Sequence, residues 1–222
     1  MLLKKTKAFM LLALSIVALH VSPSDRVEAA ESYACDGSPG VYIYQDGNYS
    51  GACYRVGVGD YANAASLAIL NDSASSIRMV PLNNNTYYEA TLYENANYTG
   101  ATSTIRFGSE QLGQDRIGND RLSSMKVKTI TADEYDGVYL FEHAVYHGDW
   151  IKLTAPTPDL AKLNFNDKAS SVHIVGRYSV GLYQDVNFTY RSAGLTMSCP
   201  YLNGLSPNNM NDNVSSVLIQ RY

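Results

Sequence analysis

Short stretches in which β-branched or aromatic residues alternate with small or polar ones recur along the chain. They are clearest at 40–44, 89–93, 137–141 and 179–183. Alternation with a period of two predicts half-buried β-strands. Beyond the N-terminal region no segment has helical periodicity, apart from a possible single turn at 159–163. The pattern therefore predicts an all-β protein.

Two polar and aromatic motifs accompany these strands. The first places two aromatic residues five positions apart, with glycine two positions after the second in three of its four copies: YQDGNYSG (44–51), YENANYTG (93–100), FEHAVYHG (141–148) and YQDVNFTY (183–190). The second motif precedes a short apolar run: NDSASS (71–76), NDRLSS (119–124), NDKASS (166–171) and NDNVSS (211–216). Two motifs in the same order at the same spacing predict four copies of one structural unit.

A unit of this length with four short strands is typical of a Greek key, and two such units pack together because one sheet cannot cover its own apolar face. A four-bladed propeller has a similar repeat length, but the chain lacks a blade signature. The turn PLNNN at 81–85 is then internal to a domain. The sequence predicts domains at 33–130 (Greek keys 40–80 and 88–130) and 137–222 (Greek keys 137–176 and 178–222), with a linker at 131–136.

Residues 1–29 have the features of a secretory signal peptide. Three lysines precede an apolar stretch at 8–21, which is too short to cross a bilayer comfortably, and small residues around Ala29 suit a signal peptidase. An uncleaved membrane anchor is the alternative, and the length argues against it. We expect a secreted protein that is not embedded in the membrane after cleavage.

Charge and cysteine content narrow the choice of partners. The full chain has a formal net charge of −4, and removal of the signal makes it −6. The mature chain has no basic run, which argues against nucleic acid as a partner. Cys35 precedes the first strand and Cys53 lies on the next, so their nearness favours a disulfide and leaves Cys199 free or buried. The spacing of the cysteines does not suit zinc.

The aromatic hairpin followed by (N/D)-(N/D)-x-x-(S/T)-S resembles the microbial calcium-binding branch of the βγ-crystallin superfamily, over residues 40–222. The resemblance implies two tandem βγ-crystallin domains, each a sandwich of two Greek-key motifs. In the family the hairpin glycine has a positive φ, and Gly51, Gly100 and Gly148 match it. Tyr190 stands at this position in the fourth unit, so its hairpin is expected to be strained or reshaped.

The resemblance also implies calcium ligands. Ca²⁺ takes six to eight oxygens, and in the family paired units exchange ligands so that each domain forms two sites. The expected loop ligands are Asp72, Ser73 and Ser75; Asp120, Arg121 and Ser123; Asp167, Lys168 and Ser170; and Asp212, Asn213 and Ser215. The expected hairpin carbonyls are those of Gln45, Glu94, Glu142 and Gln184.

Asn, Asp and Ser also hold turns without metal, so each loop alone has a purely structural explanation. All four loops keep both Asp and Ser, which favours calcium. One carboxylate per loop predicts weak, extracellular-type affinity, and the charges of Arg121 and Lys168 should weaken their sites further.

No catalytic arrangement is evident. His143 and His147 are four apart across a hairpin and are expected to be a surface pair, and the chain has neither G-x-S-x-G nor a supported Ser-His-Asp set. The sequence predicts a non-enzymatic, secreted calcium-binding protein with a structural, stress, coat or matrix role. The alternatives on the same fold are a protease inhibitor or killer-toxin-like protein, suggested by ACDGSPG at 34–40, and a carbohydrate-binding module. Its expected partners are calcium and an extracellular protease or cell-surface molecule.

Overall fold

The computed structural model describes residues 35–69 and 71–222. The expected signal peptide lies outside the described residues. The strands are β1 (Gly40–Asp46), β2 (Ser50–Val56), β3 (Gly59–Tyr61), β4 (Ser76–Val80), β5 (Thr86–Asn95), β6 (Thr99–Ile105), β7 (Ser124–Thr131), β8 (Gly137–Phe141), β9 (Trp150–Leu153), β10 (Ser171–Val175), β11 (Tyr178–Asp185), β12 (Thr189–Leu195) and β13 (Ser216–Arg221). Single 3₁₀ turns span Ala64–Leu67, Leu112–Gln114, Ala144–Tyr146, Leu160–Leu163, Val186–Phe188 and Leu202–Gly204.

The strands of the described part of the chain form four small antiparallel sheets, with the orders β2-β1-β4, β3-β7-β5-β6, β10-β8-β9 and β12-β11-β13. Strand β3 belongs to the first unit but pairs with β7 of the second, with Gly59 opposite Val127. Isolated bridges also link paired units: Ile77–Ser109 joins the first and second units, and Thr157–Val217 and Val172–Cys199 join the third and fourth. Because neighbouring units share strands in this way, they are built as pairs.

Two hydrophobic cores result. The first contains buried residues from Val41 to Val127, and the second contains buried residues from Val138 to Ile219. In β1 the alternate residues Val41 and Ile43 belong to the core, but Tyr42 and Tyr44 are buried as well, so this strand is buried on both faces and not half-buried as predicted. The predicted all-β fold of Greek-key pairs is confirmed. The domain limits 33–130 and 137–222 stay a prediction, and we call the parts around the two cores the first and second domains.

The stretch expected to be a linker contains helix α1 (Ala132–Tyr135). A capping box stabilises it, in which Thr131 N–H donates to Glu134 Oε2 at 2.8 Å and Glu134 N–H donates to Thr131 Oγ1 at 3.2 Å. Tyr135 stacks on Tyr87 with ring centroids 4.0 Å apart. One helical turn is too short to produce a visible period, so the alternation pattern could not reveal it.

The two domains contact each other through an aromatic interface. Phe107, in the loop after β6, packs against Tyr139, Phe141 and His173 on the outer face of the β8 sheet. The indole N–H of Trp150 donates to the carbonyl of Thr104 at 2.7 Å. Both domains therefore fix each other's position by packing and by hydrogen bonding.

The expected Cys35–Cys53 disulfide is present, with Cα atoms 6.1 Å apart. Cys199 is a free, half-buried thiol. Within the described ranges, no helix has the length and apolar character needed to span a membrane.

Candidate metal centre

The four polar loops meet in two pairs, and each pair exchanges side chains. In the first domain Ser75 Oγ donates to Asp120 Oδ1 at 3.0 Å, and Ser123 Oγ donates to Asp72 Oδ1 at 3.0 Å. The second domain repeats this arrangement between Ser170 and Asp212 at 3.0 Å and between Ser215 and Asp167 at 3.2 Å. Each candidate site thus takes its serine from one unit and its carboxylate from the other.

Local structure aims the carboxylates. All four aspartates have φ between 50° and 55°, in the left-handed region that Asp tolerates better than most residues. The asparagine before each aspartate donates its amide to Oδ2, which leaves Oδ1 for the partner serine. These bonds are Asn71–Asp72 (2.6 Å), Asn119–Asp120 (2.9 Å), Asn166–Asp167 (2.6 Å) and Asn211–Asp212 (2.7 Å).

The last serine of each NDxxSS motif attaches the loop to its aromatic hairpin, a role that the sequence did not reveal. Ser76 is fully buried, donates to the Asp46 carbonyl at 2.7 Å and accepts from Tyr49 N–H at 3.1 Å. The equivalent serines make the same pair of bonds: Ser124 with Asn95 and Tyr98, Ser171 with His143 and Tyr146, and Ser216 with Asp185 and Phe188. The recurrence of this last serine in all four motifs is the sequence signal that could have revealed its role.

The hairpins have one shape in all four units. Gly51, Gly100 and Gly148 have φ of 76°, 84° and 81°, as expected. Tyr190 adopts φ 65° at the equivalent position, so the fourth hairpin keeps the geometry and carries the strain in a non-glycine residue.

The expected ligands of the first site line one open cavity of about 660 Å³. Gln45, Ser73 and Ser75 from the first unit face Asp120 from the second, and Asp72 lies at the same mouth. The structure therefore brings together the hairpin and loop residues that the sequence nominated, with the carboxylate supplied by the partner unit.

The two cations in the loops are paired with hairpin carboxylates. The Arg121 guanidinium contacts Glu94, and Lys168 Nζ lies 3.6 Å from Glu142 Oε1. The N–H of Ala101 and the Arg121 charge lower the pKa of Glu94. At the other two sites the corresponding residues are neutral: Ser73 with Gln45, and Asn213 with Gln184. The Arg121 and Lys168 charges are thus partly compensated, which the sequence reasoning did not anticipate.

The donor chemistry fits a hard cation. Each pair offers a carboxylate oxygen and a hydroxyl about 3 Å apart, a separation compatible with two oxygens that each bind Ca²⁺ at about 2.3–2.6 Å. Backbone carbonyls of the loop and hairpin would complete the shell. Among residues 35–69 and 71–222 no three His, Cys, Asp or Glu side chains form a cluster that could hold a metal ion, so hydroxyl and carbonyl oxygens would have to supply most of the ligands.

One expectation about this region is wrong. His143 is exposed, but His147 is only 5% exposed and lies 3.3 Å from Ser109 of the first domain. The two histidines are therefore not a surface pair, because domain packing buries the second.

No family profile matches the chain, and no curated protein sequence matches it. A solved βγ-crystallin domain from Flavobacterium johnsoniae is 34% identical over 40% of this chain and 92% of that domain, with a TM-score of 0.34. The chain belongs to the βγ-crystallin superfamily.

Two further βγ-crystallin-type structures are similar to this chain. A βγ-crystallin from Ciona intestinalis is 28% identical over 37% of this chain and 98% of its own, with a TM-score of 0.34. Protein S, solved in complex with calcium, is 24% identical over 82% of this chain and 99% of its own, with a TM-score of 0.45.

Proposed function

We propose that this βγ-crystallin is a secreted, non-catalytic protein in which Ca²⁺ bound at the paired loops stabilises the fold. One observation carries the proposal: a serine of one unit faces an aspartate of its partner unit in all four loops. A turn that only needs to hold its shape could satisfy its aspartate locally. Here every carboxylate has one oxygen held locally and the other directed across the unit boundary.

The Ser–Asp pairs would form part of a calcium coordination shell. Each Ser–Asp pair supplies two oxygens, fewer than the six to eight that Ca²⁺ takes, and carbonyls and water would supply the others. With one carboxylate per site, we expect dissociation constants in the range of extracellular modules, about 10⁻⁴–10⁻³ M. Binding to the folded state alone adds about 2.7 kcal/mol per site at a hundredfold excess of calcium over the dissociation constant. A coat, matrix or stress role would use this added stability outside the cell.

The test is a calorimetric titration of the mature chain, residues 30–222, with calcium. We expect saturable binding at the four loops. The matched control replaces Asp72, Asp120, Asp167 and Asp212 by asparagine, which tolerates the same backbone and keeps an oxygen but removes the charge. A silent titration of the unsubstituted chain, or equal binding by the control, would contradict the proposal.

The protease-inhibitor alternative is supported by the N-terminal arm at 35–39. The Cys35–Cys53 disulfide braces this arm, and most of its residues are exposed. The single Tyr42 O–H proton is shared between Ser38 O at 2.6 Å and Asp36 Oδ1 at 3.0 Å, so the tyrosine hydroxyl contacts the arm at two points. Inhibition of secreted metalloproteases by the chain, lost in a Cys35→Ser variant, would favour this alternative.

A further inference from the structure

A buried polar cluster joins the two domains beside the aromatic interface. Ser109 and Asp115 come from the segment that follows β6 in the first domain, and His147 and Gly148 come from the third hairpin in the second domain. The exposed fractions of Ser109, Asp115 and His147 are 3%, 8% and 5%. Titratable groups are rarely buried to this degree without a specific partner.

The contacts form one continuous chain across the interface. Ser109 Oγ donates to Asp115 Oδ2 at 2.5 Å, and Gly148 N–H donates to Asp115 Oδ1 at 3.0 Å. Ser109 Oγ also lies 3.3 Å from His147 Nδ1. Ser109 can accept from His147 while donating to Asp115, or the polarity can reverse with the proton on the carboxyl. The carboxyl group is thus bonded by both domains.

Both titratable members depart from the repeat. The hairpin position of His147 holds Ser50, Thr99 and Thr189 in the other units, and each of those hydroxyls bonds its own turn.

Asp115 also departs from the repeat. It lies three residues after the buried Leu112, whereas the equivalent residues after Leu160 and Leu202 are Leu163 and Leu205. The second and third units therefore break the repeat at the two residues that meet across the domain boundary. The Greek-key fold does not require these residues, because the other units form without them.

The number of protons on the pair sets the net charge of the buried cluster. With one proton shared, the imidazole and carboxyl together are neutral or form a compensated ion pair. Without that proton a buried carboxylate has no counter-charge. With a second proton the cluster becomes positive, and both His147 and Asp115 compete to donate to Ser109. Both extremes carry the cost of an uncompensated buried charge.

We propose that the Ser109–Asp115–His147 cluster is a pH-sensitive lock, which holds the two domains together most tightly when the pair shares one proton. Calcium is not needed for it. Burial raises the pKa of Asp115, against the opposing effect of the hydrogen bonds from Ser109 and Gly148, so the buried carboxyl holds this proton more tightly than an exposed one would. This stabilisation is present at low pH and is lost as pH rises through the raised pKa. A second proton limits the lock on the acid side, because it leaves the buried cluster with a net positive charge.

Other titratable groups near the lock must be distinguished from it. His143 and the ion pair of Arg116 with Asp149, at 3.9 Å, lie beside the cluster. Elsewhere in the interface Arg106 bonds the buried Glu89, and His173 packs 4.4 Å from Phe107. Burial lowers the pKa of His173.

The chain's single tryptophan reports domain docking, because Trp150 bonds Thr104 across the interface. We would measure its fluorescence and the radius of gyration by X-ray scattering on the mature chain, from mildly acidic to alkaline pH. We expect a bell-shaped profile, with a red shift and a larger radius on both sides. Asp115→Asn, which still accepts from Gly148 but cannot titrate, should flatten the profile.

His147→Thr should flatten it as well, and it places in the third hairpin the residue that the second unit already holds there. Glu89→Gln and His173→Gln are controls that should keep the bell shape, and far-UV circular dichroism confirms that each variant is folded. If Asp115→Asn does not fold, His147→Thr decides. A flat profile for the unsubstituted chain, an unchanged profile in the deciding variant, or a profile abolished by either control would overturn the proposal.

Discussion

Ser75 and Asp120 are 45 residues apart in the chain, yet the hydroxyl of the first donates to the carboxylate of the second at 3.0 Å. Ser123 and Asp72 make the reciprocal bond, so each loop of a domain contributes to both candidate sites. A ligand set composed of residues from a single loop would be incomplete. The pairing decides which substitutions should act on the same site.

This pairing can be tested by the stoichiometry of calcium binding. Ser75→Ala and Asp120→Ala should each remove one site, and the double variant should lose no more than that one, because both residues belong to it. Ser75→Ala combined with Asp72→Ala should remove two sites. Calorimetric titration counts them. Loss of a single site in the second double variant would show that the ligands come from one loop.

A charge at the serine position should empty a site. Ser75→Arg removes a ligand oxygen and places a cation within a few ångströms of the metal, a repulsion of several kcal/mol at an effective dielectric of about 20. We expect the calcium-dependent rise in melting temperature to fall. Thermal melts in chelator and in millimolar calcium measure the change. The full rise in this variant would mean that NDSASS is only a turn.

Tyr190→Gly is the matched control for that experiment. It relieves a residue at φ 65° without touching a candidate ligand. We expect stabilisation with and without calcium, by about 1 kcal/mol. A gain confined to the calcium-bound state would contradict the strain explanation.

The Arg121–Glu94 pair should tune the affinity of its site. Arg121→Ser copies Ser73 of the first unit and leaves the Glu94 carboxylate unpaired beside the loop. We expect tighter calcium binding at low salt and a smaller effect at high salt, because Arg121 is half exposed. Lys162→Ser removes an equal charge from the other domain and is the control. Unchanged or weaker binding would rule out this electrostatic role.

The two serines of the NDSASS motif should have different effects on stability. Ser76→Ala leaves the Asp46 carbonyl and the Tyr49 N–H without their partner, which costs about 1–3 kcal/mol in chelator. Ser75→Ala should change stability chiefly in calcium. Urea unfolding under both conditions compares them. Equal losses in chelator would remove the distinction between a structural and a ligand serine.

The disulfide should stabilise the first domain. Cys35 and Cys53 are separated by 18 residues, and a bond closing a loop of this length contributes about 3 kcal/mol. Cys35→Ser should lower the free energy of unfolding by roughly this amount, while Cys199→Ser should change it little. A peptide map must link Cys35 to Cys53. A map linking Cys199 to either residue would contradict the pairing.

The sequence alone determined the strands, the four units and the composition of the loops. These features depend on neighbours within a few positions: the alternation at 40–44 sets which side chains share a face of the strand, and NDSASS carries its own turn chemistry. The positive φ of Gly51 could be expected for the same reason. Helix α1 escaped prediction because one turn has no period.

Only the tertiary structure decided which loops share a site and what joins the domains. Ser75 meets Asp120 because strand exchange between units brings distant segments together, and no local pattern records that distance. His147 looked like a surface residue, yet it is buried and contacts Ser109 of the first domain, which no local pattern shows. Periodicity encodes which face of an element is buried, whereas the partner that covers that face is chosen by the packing of the whole chain.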